Sequence, residues 1–501
     1  MILTTEENFL ALLKKMSAYS EALSVMYWDM RTGAPKKGIS TRSEAVGTLS
    51  SELFKMSVSE EMSGYLDELG KNLDSLSPIV AKTVEVVKEE YDRSEKIPAD
   101  EHREFVVLAS QAESVWEEAK DEADFEKFLP YLEKIVATKK KFISYWGVKD
   151  NNPYNTLLDQ YEPGMTTDII DGVFNQLKET IVPLVQKIAA SGNQPDTSFL
   201  FKQFPKDNQR KFSHEILQQL GYDFEAGRLD ETVHPFEMGI NLGDVRITTK
   251  YDETDFRSAV FGTIHECGHA LYDQHIDKAL EGLPIAQGTS MGIHESQSLF
   301  YEQFIGHNEN FWKYNFDLLI SRSPEQFKGV SVEDFLRAIN YSEPSLIRIE
   351  ADELTYPLHI MIRYEIEKGL FNGEYEVKDL PQIWNDKYEE YLGVRPQNDG
   401  EGVLQDVHWA GGDFGYFPSY ALGYMYAAQL KAAMLKDIPH FDELCGKGEF
   451  SPILEWLTEH VHQYGKMKKP LEIIQDTTGE GLNASYLADY LSEKYTKFYN
   501  L

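Results

Sequence analysis

The chain has 501 residues, of which 42% are hydrophobic and 12% aromatic, and its formal net charge is −34. This composition indicates a folded globular protein, and the negative charge argues against nucleic acid and anionic membranes as partners. Because Cys267 and Cys445 are the only cysteines, no disulfide framework is expected and a cytoplasmic location is predicted. The N-terminal segment lacks the basic start and long apolar core of a signal peptide, and no apolar stretch reaches 18 residues, so a membrane span is not expected.

Most of the chain carries apolar residues at the three-to-four spacing of amphipathic helices. In the N-terminal half this pattern predicts helices over residues 5–26, 40–70, 78–95, 99–124, 125–147 and 167–190. Prolines mark two of the breaks, Pro98 before one helix and Pro163 in a turn. Because there is no repeat, low-complexity tract or convincing linker, we expect residues 1–501 to form a single domain.

The second half of the chain contains the predicted strands. Polar and apolar residues alternate within residues 230–252, and glycines at 239 and 243 indicate turns, which predicts a small antiparallel sheet. A helix is predicted directly after it, over residues 256–275. Further helices are predicted over residues 309–322, 332–341, 344–371, 377–393, 418–436, 451–459, 470–477 and 483–499.

The most informative residues are His-Glu-Cys-Gly-His at 265–269. A spacing of four places the imidazoles of His265 and His269 on one helix face, where they can occupy two corners of a zinc tetrahedron. Glu266 can then take a proton from the water on the metal, so we interpret it as the general base. The alternative is a half-exposed helix face without a metal, on which Glu266 is an ordinary surface charge. Gly268 costs the helix about 1 kcal/mol relative to alanine, which favours a close approach of another backbone at this point.

Glu295 is the predicted third ligand, since a catalytic zinc usually keeps three protein ligands and one open position. It follows a glycine-rich loop and lies in the first turn of a second helix, far enough from His269 for an antiparallel return. The side chain of His294 points about 100° away on that helix, so it is less suited to the same ion. Asp273 and Glu302 either orient the imidazoles or are solvated helix charges.

Such a site predicts peptide-bond hydrolysis. The cation polarises the scissile carbonyl and lowers the pKa of its water, and Glu266 accepts the proton and passes it to the leaving amine. An edge strand beside the metal, as predicted within residues 230–252, can hold an extended peptide by backbone hydrogen bonds.

An ordered set of motifs resembles the M32 family of metallocarboxypeptidases over nearly the whole chain. Besides the metal motif, the matching pieces are the stretch from Trp28 to Arg42, His-Pro-Phe at 234–236, Asp-Val-Arg-Ile-Thr at 244–248, His-Glu-Ser-Gln at 294–297, Ile-Arg-Ile-Glu-Ala-Asp at 347–352 and Gly-Val-Arg-Pro-Gln-Asn-Asp-Gly at 393–400. The resemblance implies a mainly α fold: a neurolysin-like helical ellipsoid with a deep substrate groove, a small antiparallel β-sheet beside the metal site, and assembly as a homodimer.

The same resemblance implies a function. Members of the family release single residues from peptide C-termini with broad specificity, and their Zn²⁺ cofactor can often be replaced by Co²⁺. His265, His269 and Glu295 match the family's metal ligands, and Glu266 matches its general base.

A carboxypeptidase also has to recognise a free terminal carboxylate, which calls for the fork of an arginine. Three arginines stand in the matching motifs: Arg348 as the first choice, Arg395 as the second, and Arg246. The alternative for each is a structural ion pair with a nearby acid, respectively Asp352, Asp399 and Asp244. His234 is predicted to line the pocket for the terminal residue, and a packed structural histidine is its alternative.

A glycine-rich aromatic loop runs from His408 into a predicted helix that contains Tyr420. It can place the His408 imidazole and the Tyr420 phenol, or that of Tyr416, over the metal, where they would stabilise the oxyanion on the attacked carbonyl. An aromatic core loop is the alternative. Two other functions stay open: an oligoendopeptidase on the same scaffold, which would not need a free C-terminus, and a peptide-binding protein without catalysis.

Overall fold

The computed structural model describes residues 2–501, in which helices predominate. The α-helices are α1 Ile2–Thr32, α2 Ile39–Ser57, α3 Glu60–Gly70, α4 Pro78–Glu95, α5 Ala99–Glu122, α6 Phe125–Trp146, α7 Pro153–Tyr161, α8 Thr167–Ser191, α9 Lys206–Leu220, α10 Thr263–Gln274, α11 Met291–Leu299, α12 Glu309–Arg322, α13 Val332–Ile339, α14 Tyr356–Asn372, α15 Leu380–Leu392, α16 His408–Gly411, α17 Pro418–Asp437, α18 Phe441–Cys445, α19 Ser451–His460, α20 Pro470–Thr478 and α21 Ser485–Tyr499. Within residues 2–501, no helix combines the length and the apolar character that a membrane crossing requires.

Two of the predicted helices differ most from the structure in their extent. The helix predicted over 40–70 is two helices, because the Ser59 hydroxyl accepts a hydrogen bond from the backbone N–H of Met62 and so caps a new helix, α3. The helix predicted over 344–371 begins only at Tyr356. Before it, the Asp352 carboxylate accepts hydrogen bonds from the backbone N–H groups of Leu354 and Thr355, which holds an irregular segment in place.

The sheet has three strands, β1 Leu229–Glu231, β2 Glu237–Asn241 and β3 Asp244–Thr249, in the order β1-β3-β2. β2 pairs antiparallel with β3, as predicted, but β1 pairs parallel with β3, with Leu229 opposite Ile247. The expectation of a purely antiparallel sheet is therefore wrong. The reason is that the chain reverses twice, once between β1 and β2 and once between β2 and β3, so β1 and β3 run in the same direction.

The buried hydrophobic residues form two clusters. A large cluster runs through the molecule from Ala112 to Tyr499. A small cluster belongs to α1, α3 and α4 and consists of Phe9, Leu12, Leu13, Met62, Leu66, Leu69, Val80, Val84 and Val87. Leu283 packs against both clusters and so connects them.

Helix α11 lies between α10 and α17, and two glycines permit the close packing. A Cβ on Gly268 of α10 would lie 2.6 Å from the Cα of Ser298, and a Cβ on Gly423 of α17 would lie 2.8 Å from the Cβ of Glu295. Both distances are below van der Waals contact. The expectation that another backbone approaches Gly268 is confirmed, and the approaching chain carries Glu295.

Candidate metal centre and substrate cleft

The three predicted ligands come together between α10 and α11. The Oε2 atom of Glu295 lies 3.7 Å from Nε2 of His265 and 3.4 Å from Nε2 of His269. All three ligand atoms lie within 4.8 Å of one another. Two imidazole nitrogens and one carboxylate oxygen are the donor set of a catalytic zinc site with an open position.

Neighbouring side chains fix the orientation of both imidazoles. Nδ1 of His265 lies 2.8 Å from Oε2 of Glu302. Nδ1 of His269 lies 2.6 Å from Nδ1 of His294, whose Nε2 is 3.2 Å from Oδ1 of Asp273. Because Nδ1 is engaged in both rings, Nε2 of each is available to a cation, and the residues present fit a divalent metal.

The hydrogen-bonded chain behind His269 includes a second cluster of possible ligands. The side chains of Glu237, Asp273 and His294 bring ligand atoms within 4.8 Å of one another. When Nε2 of His269 ligates a metal, its Nδ1–H donates to Nδ1 of His294, which must then carry its proton on Nε2 and donate it to Asp273. That nitrogen has no lone pair for another cation, so this cluster is the outer end of the chain that orients His269.

Glu266 points into the same space. Its side chain is largely buried, and within residues 2–501 it makes no hydrogen bond. Burial raises the pKa of Glu266 to about 7, and Glu295 acts in the same direction while His265 opposes it. A buried carboxylate beside a predicted metal ligand, without a hydrogen-bond donor, is suited to accept a proton.

These side chains line a cavity of about 790 Å³, called the metal cleft below. One wall consists of Pro235, Phe236 and Glu237 at the sheet. A second consists of α10, α11 and the π-helix Phe300–Gly306 that continues α11. The third wall is formed by residues 348–356 and by the phenols of α17 and its preceding loop.

Known proteins share both the sequence and the fold. The family model described as Carboxypeptidase Taq (M32) metallopeptidase matches residues 8–495. Carboxypeptidase 1 of Bacillus subtilis is 59% identical over 498 residues, which cover 99% of each chain. Thermostable carboxypeptidase 1 of Thermus thermophilus is 41% identical over 514 residues, covering 99% of this chain and 100% of the relative. The chain belongs to the M32 family of metallocarboxypeptidases.

A solved structure leads to the same family. The M32 carboxypeptidase from Deinococcus radiodurans R1 is 34% identical, has a TM-score of 0.96, and is covered to 100% by 99% of this chain. The resemblance seen in the motifs, the mainly α fold and the enzyme class are thereby confirmed. Membership of a metallopeptidase family also implies a metal cofactor, which agrees with the donor set between α10 and α11.

Of the three predicted arginines, Arg348 lines the cleft of this M32 enzyme. Its Nε and Nη2 donate to Oδ1 of Asp406 over 3.0 and 2.9 Å, and its Nη1 donates to the Tyr356 hydroxyl over 3.1 Å. The alternative pairing with Asp352 is wrong. Asp406 also accepts from Nε of Arg363 over 2.7 Å, so two arginines share one carboxylate. Although burial acts to raise it, the two guanidinium groups hold the pKa of Asp406 well below its usual range.

Arg395 lies away from the metal cleft, on an exposed surface. Its Nη1 donates to Asp386 over 2.9 Å and to Glu389 over 2.7 Å, and Asp399 is not its partner. Arg395 therefore forms surface ion pairs and does not line the cleft. The sequence gives no sign of this, because Arg395 stands in a matching motif while its partners lie on the preceding helix.

Arg246 and His234 also lie outside the cleft lining. Nε and Nη2 of Arg246 donate to the two carboxylate oxygens of Asp244 over 2.7 and 2.6 Å, and its guanidinium lies 5.6 Å from the ring of Trp28. The predicted alternative for Arg246, an ion pair with Asp244, is thus the arrangement observed. His234 is exposed, and it is the next residue, Pro235, whose side chain reaches the cleft.

The glycine-rich loop brings two phenols to the cleft and leaves its histidine behind them. Tyr416 and Tyr420 line the cleft, whereas His408 does not. Nε2 of His408 lies 3.4 Å from the Tyr420 hydroxyl, and its Nδ1 is buried without a hydrogen bond within residues 2–501. Burial lowers the pKa of His408 to about 4, so the ring is neutral at pH 7. His408 contacts Tyr420 and not the position of the metal.

Sequence reasoning missed three residues that shape the site. Tyr356, which receives the Arg348 hydrogen bond, follows a matching motif but has no signal of its own. Glu162 is buried and accepts hydrogen bonds from the Ser290 hydroxyl over 3.0 Å and the Gly292 backbone N–H over 2.9 Å, so it fixes the first turn of α11. Glu162 and Ser290 are 128 positions apart, so no local sequence pattern predicts this contact.

The third missed residue is Glu367 of α14, which is fully buried. Its carboxylate accepts hydrogen bonds from the Tyr154 hydroxyl over 2.6 Å, the Trp409 indole N–H over 2.7 Å and the Gly415 backbone N–H over 2.8 Å. Burial raises the pKa of Glu367 to about 7, although these donors oppose the shift. Glu367 anchors the loop that presents Tyr416 and Tyr420 to the cleft.

Proposed function

We propose that this M32 enzyme is a zinc-dependent carboxypeptidase that removes single residues from peptide C-termini with broad specificity. The observation that carries the proposal is the convergence of His265, His269 and Glu295 in a cleft that also contains Arg348. A divalent cation held by these ligands supplies Lewis-acid polarisation of the scissile carbonyl and a water of lowered pKa. Zn²⁺ suits two nitrogens and one oxygen, and Co²⁺ accepts the same donors.

Glu266 acts as the general base in this proposal. Its carboxylate takes the proton of the attacking water and delivers it to the nitrogen of the leaving residue. The support is its place in the cleft next to His265, the lack of a competing hydrogen bond within residues 2–501, and the raised pKa of its buried carboxyl group.

Arg348 is proposed to bind the terminal carboxylate of the peptide. Arg348 and Arg363 share the single carboxylate of Asp406, so these three side chains together carry one net positive charge. Nη1 of Arg348 donates to the hydroxyl of Tyr356, which also lines the cleft, and both groups can donate to a carboxylate. Arg246 and Arg395 lack such a net positive charge, because each is paired with acids outside the cleft.

Tyr420 is proposed to donate its hydroxyl hydrogen to the oxyanion that forms on the attacked carbonyl, with Tyr416 as the substitute. His408 is proposed as a positioning residue that acts through Tyr420, since its neutral ring lies beside the Tyr420 hydroxyl and not in the cleft. This changes the predicted role of His408 from direct contact with the substrate to support of the phenol.

Digestion of one peptide with a free C-terminus and of the same peptide with a C-terminal amide, each with and without a chelator, tests the proposal. Mass spectrometry should show a ladder that loses one residue at a time from the free C-terminus only, and the chelator should stop it until zinc is restored. Internal cleavage of the amidated peptide would instead indicate an oligoendopeptidase. No turnover by the zinc-loaded protein would indicate a binding protein.

We also propose a cytoplasmic location and a homodimer, formed by chains that each fold as one domain. Both cysteines, Cys267 and Cys445, are buried and unpaired, which agrees with a reducing compartment. The homodimer rests on the resemblance to the family. Light scattering during size-exclusion chromatography should give twice the mass of the chain, and a mass of one chain would contradict it.

A further inference from the structure

The proposed metal ligand Glu295 lies on a short helix that is packed tightly against its neighbours. α11 has nine residues, and Glu295 lies about one turn after Gly292. An added Cβ on Gly423 of α17 would lie 2.8 Å from the Cβ of Glu295 and 3.0 Å from the carbonyl oxygen of Gly292. Because a zinc–oxygen bond is only about 2.0–2.2 Å long, a small shift of α11 would move the ligand oxygen out of range. The contacts that fix the first turn of α11 therefore bear on metal binding.

The buried carboxylate of Glu162, which is 1% exposed, holds this turn. Its Oε1 accepts a hydrogen bond from the Ser290 hydroxyl over 3.0 Å, and its Oε2 accepts one from the Gly292 backbone N–H over 2.9 Å. Oγ of Ser290 also accepts a hydrogen bond from the backbone N–H of Ile293 over 3.0 Å, so Ser290 caps α11 while it donates to Glu162. The negative charge lies at the positive end of the α11 dipole, which favours it.

The same carboxylate holds the helix on the other side of Glu295. The Tyr426 hydroxyl of α17 donates to Oε1 of Glu162 over 2.8 Å. Tyr426 lies about one turn after Gly423, the residue that packs against Glu295. All three donors to Glu162 are uncharged, so their directional hydrogen bonds, and not an ion pair, define its contacts. Glu162 therefore fixes α11 relative to α17 at the point where Glu295 lies between them.

The backbone of Glu162 is itself held in place. It follows the last residue of α7, where its N–H donates to the carbonyl of Leu158 over 2.9 Å and its carbonyl accepts from the N–H of Met165 over 3.0 Å. Pro163 comes next, and the residue before a proline is kept out of the helical conformation. Glu162 has φ −134° and ψ 82°, in agreement with this restriction. Its carboxylate is thus presented to α11 and α17 from a hydrogen-bonded turn.

We propose that Glu162 is a positioning residue for the metal ligand Glu295 and thereby raises the zinc affinity of the site. Among residues 2–501, the lining of the metal cleft does not include Glu162, so it acts through α11 and α17 and not by contact with the metal. The inference rests on the proposed zinc site of His265, His269 and Glu295. Side chains that orient metal ligands typically change the metal affinity by about 10- to 100-fold.

Zinc affinity of the folded protein, measured by competition with a chelator of known affinity, tests the proposal. Tyr426→Phe keeps the buried ring and removes one of the hydroxyls that donate to Glu162, and it should raise the zinc Kd by about three- to tenfold. Glu162→Met removes the acceptor of all three hydrogen bonds and should raise the zinc Kd by at least about tenfold. Tyr426→Phe decides the question if Glu162→Met does not fold.

The matched control is Tyr154→Phe, at the other buried glutamate that accepts three hydrogen bonds. Tyr154 is fully buried, as Tyr426 is, and its hydroxyl donates to Glu367 over 2.6 Å. Glu367 holds the loop of Tyr416 and not α11. Both variants should lower the free energy of unfolding, whereas only Tyr426→Phe should raise the zinc Kd. A role of Glu162 in stability alone would leave the zinc Kd of both variants at the wild-type value.

An unchanged zinc Kd in Tyr426→Phe, or an equal rise in Tyr426→Phe and Tyr154→Phe, would overturn the proposal. Because the measurement needs no peptide, it also separates this inference from the proposed function. Wild-type protein that binds no zinc would contradict the zinc site and the role of Glu162 together. Zinc bound equally well by wild type and Tyr426→Phe would contradict only the role of Glu162.

Discussion

The N-terminal helices α1–α4 and the central helices α10, α11, α14 and α17 are built differently. α2 buries one of its 19 residues, Val46, whereas α17 buries 14 of its 20. The N-terminal helices bury a small apolar cluster and expose the rest of their surface. The central helices are buried on most sides and include fully buried polar residues, such as Arg363 and Glu367 of α14.

This difference in burial explains why the proposed active site lies among the central helices. A buried charge is tolerated only with partners, so each buried polar residue of the centre requires others at fixed distances. The Asp406 carboxylate with Arg348 and Arg363, and Glu367 with Trp409, meet this requirement. Such contacts hold the proposed catalytic groups in place, and the N-terminal helices have no comparable network in the part that the structure describes.

The largest effect is expected from Glu266→Gln, which removes the proposed base and leaves the shape of the site unchanged. Loss of general-base catalysis should lower kcat by roughly 10²- to 10⁴-fold while the metal content stays the same. Glu44→Gln, an exposed change on α2, is the control and should leave kcat unchanged. Full activity of the Glu266→Gln protein, measured with its metal content, would rule out the assigned role.

Arg348→Ala should raise KM for peptides with a free C-terminus. A lost hydrogen bond to a charged group is worth about 1.5–3 kcal/mol, or about 10- to 150-fold, and Arg363 remains to pair with Asp406. Arg395→Ala, which removes an arginine from exposed ion pairs, should leave KM unchanged. If Arg395→Ala raises KM and Arg348→Ala does not, the assignment of the two arginines is reversed.

Two glycine substitutions, one in central helix α10 and one in N-terminal helix α3, compare the packing of the two regions. The first is Gly268→Ala. The new methyl group would lie against the backbone at Ser298, so α10 and α11 would have to separate, and we expect a loss of about 1–3 kcal/mol in the free energy of unfolding. In α3, a Cβ on Gly64 meets nothing within 4 Å, and Gly64→Ala should stabilise the protein by up to about 1 kcal/mol. Thermal unfolding of both variants tests this prediction. If the melting temperatures of Gly268→Ala and Gly64→Ala shift in the same direction, the difference in packing between α10 and α3 is contradicted.

A further prediction concerns the pH dependence of stability. Burial raises the pKa of Glu367 from 4.5 to about 7, so the folded protein holds this proton more tightly than the unfolded chain does. Its contribution to stability is fully present below pH 4.5 and is lost as the pH rises through about 7. The glutamine of Glu367→Gln cannot ionise. The variant should therefore lack this decrease in the free energy of unfolding with pH, which is at most about 1.4 kcal/mol per pH unit.

Thermal unfolding of wild type and Glu367→Gln between pH 4.5 and 8 measures that slope, whatever the overall stability of the variant. Glu44→Gln on α2 serves again as the control and should follow the wild-type profile. A Glu367→Gln profile parallel to wild type would show that Glu367 does not titrate in this range.

Local patterns predicted much of this molecule. The three-to-four spacing located most helices, and the spacing of His265 and His269 placed both rings on one face of α10. Glu295 was found because the loop before α11 is long enough for an antiparallel return. These features depend on residues that are close in sequence or on the order of short motifs.

The remaining features depend on contacts between distant parts of the chain. The parallel pairing of β1 with β3 requires two chain reversals, and the bond from Ser290 to Glu162 joins residues 128 positions apart. The rotation of about 100° per residue on a helix predicted that His294 points away from Glu295. It could not show that the ring would meet Nδ1 of His269, because that meeting depends on how α10 and α11 pack.

Anomalous diffraction at the zinc edge, on crystals of the zinc-loaded protein, tests the central claim most directly. One strong peak per chain is expected at about 2.0–2.2 Å from Nε2 of His265, Nε2 of His269 and a carboxylate oxygen of Glu295. A peak at Glu237, Asp273 and His294 instead, or no peak at the three proposed ligands, would contradict it.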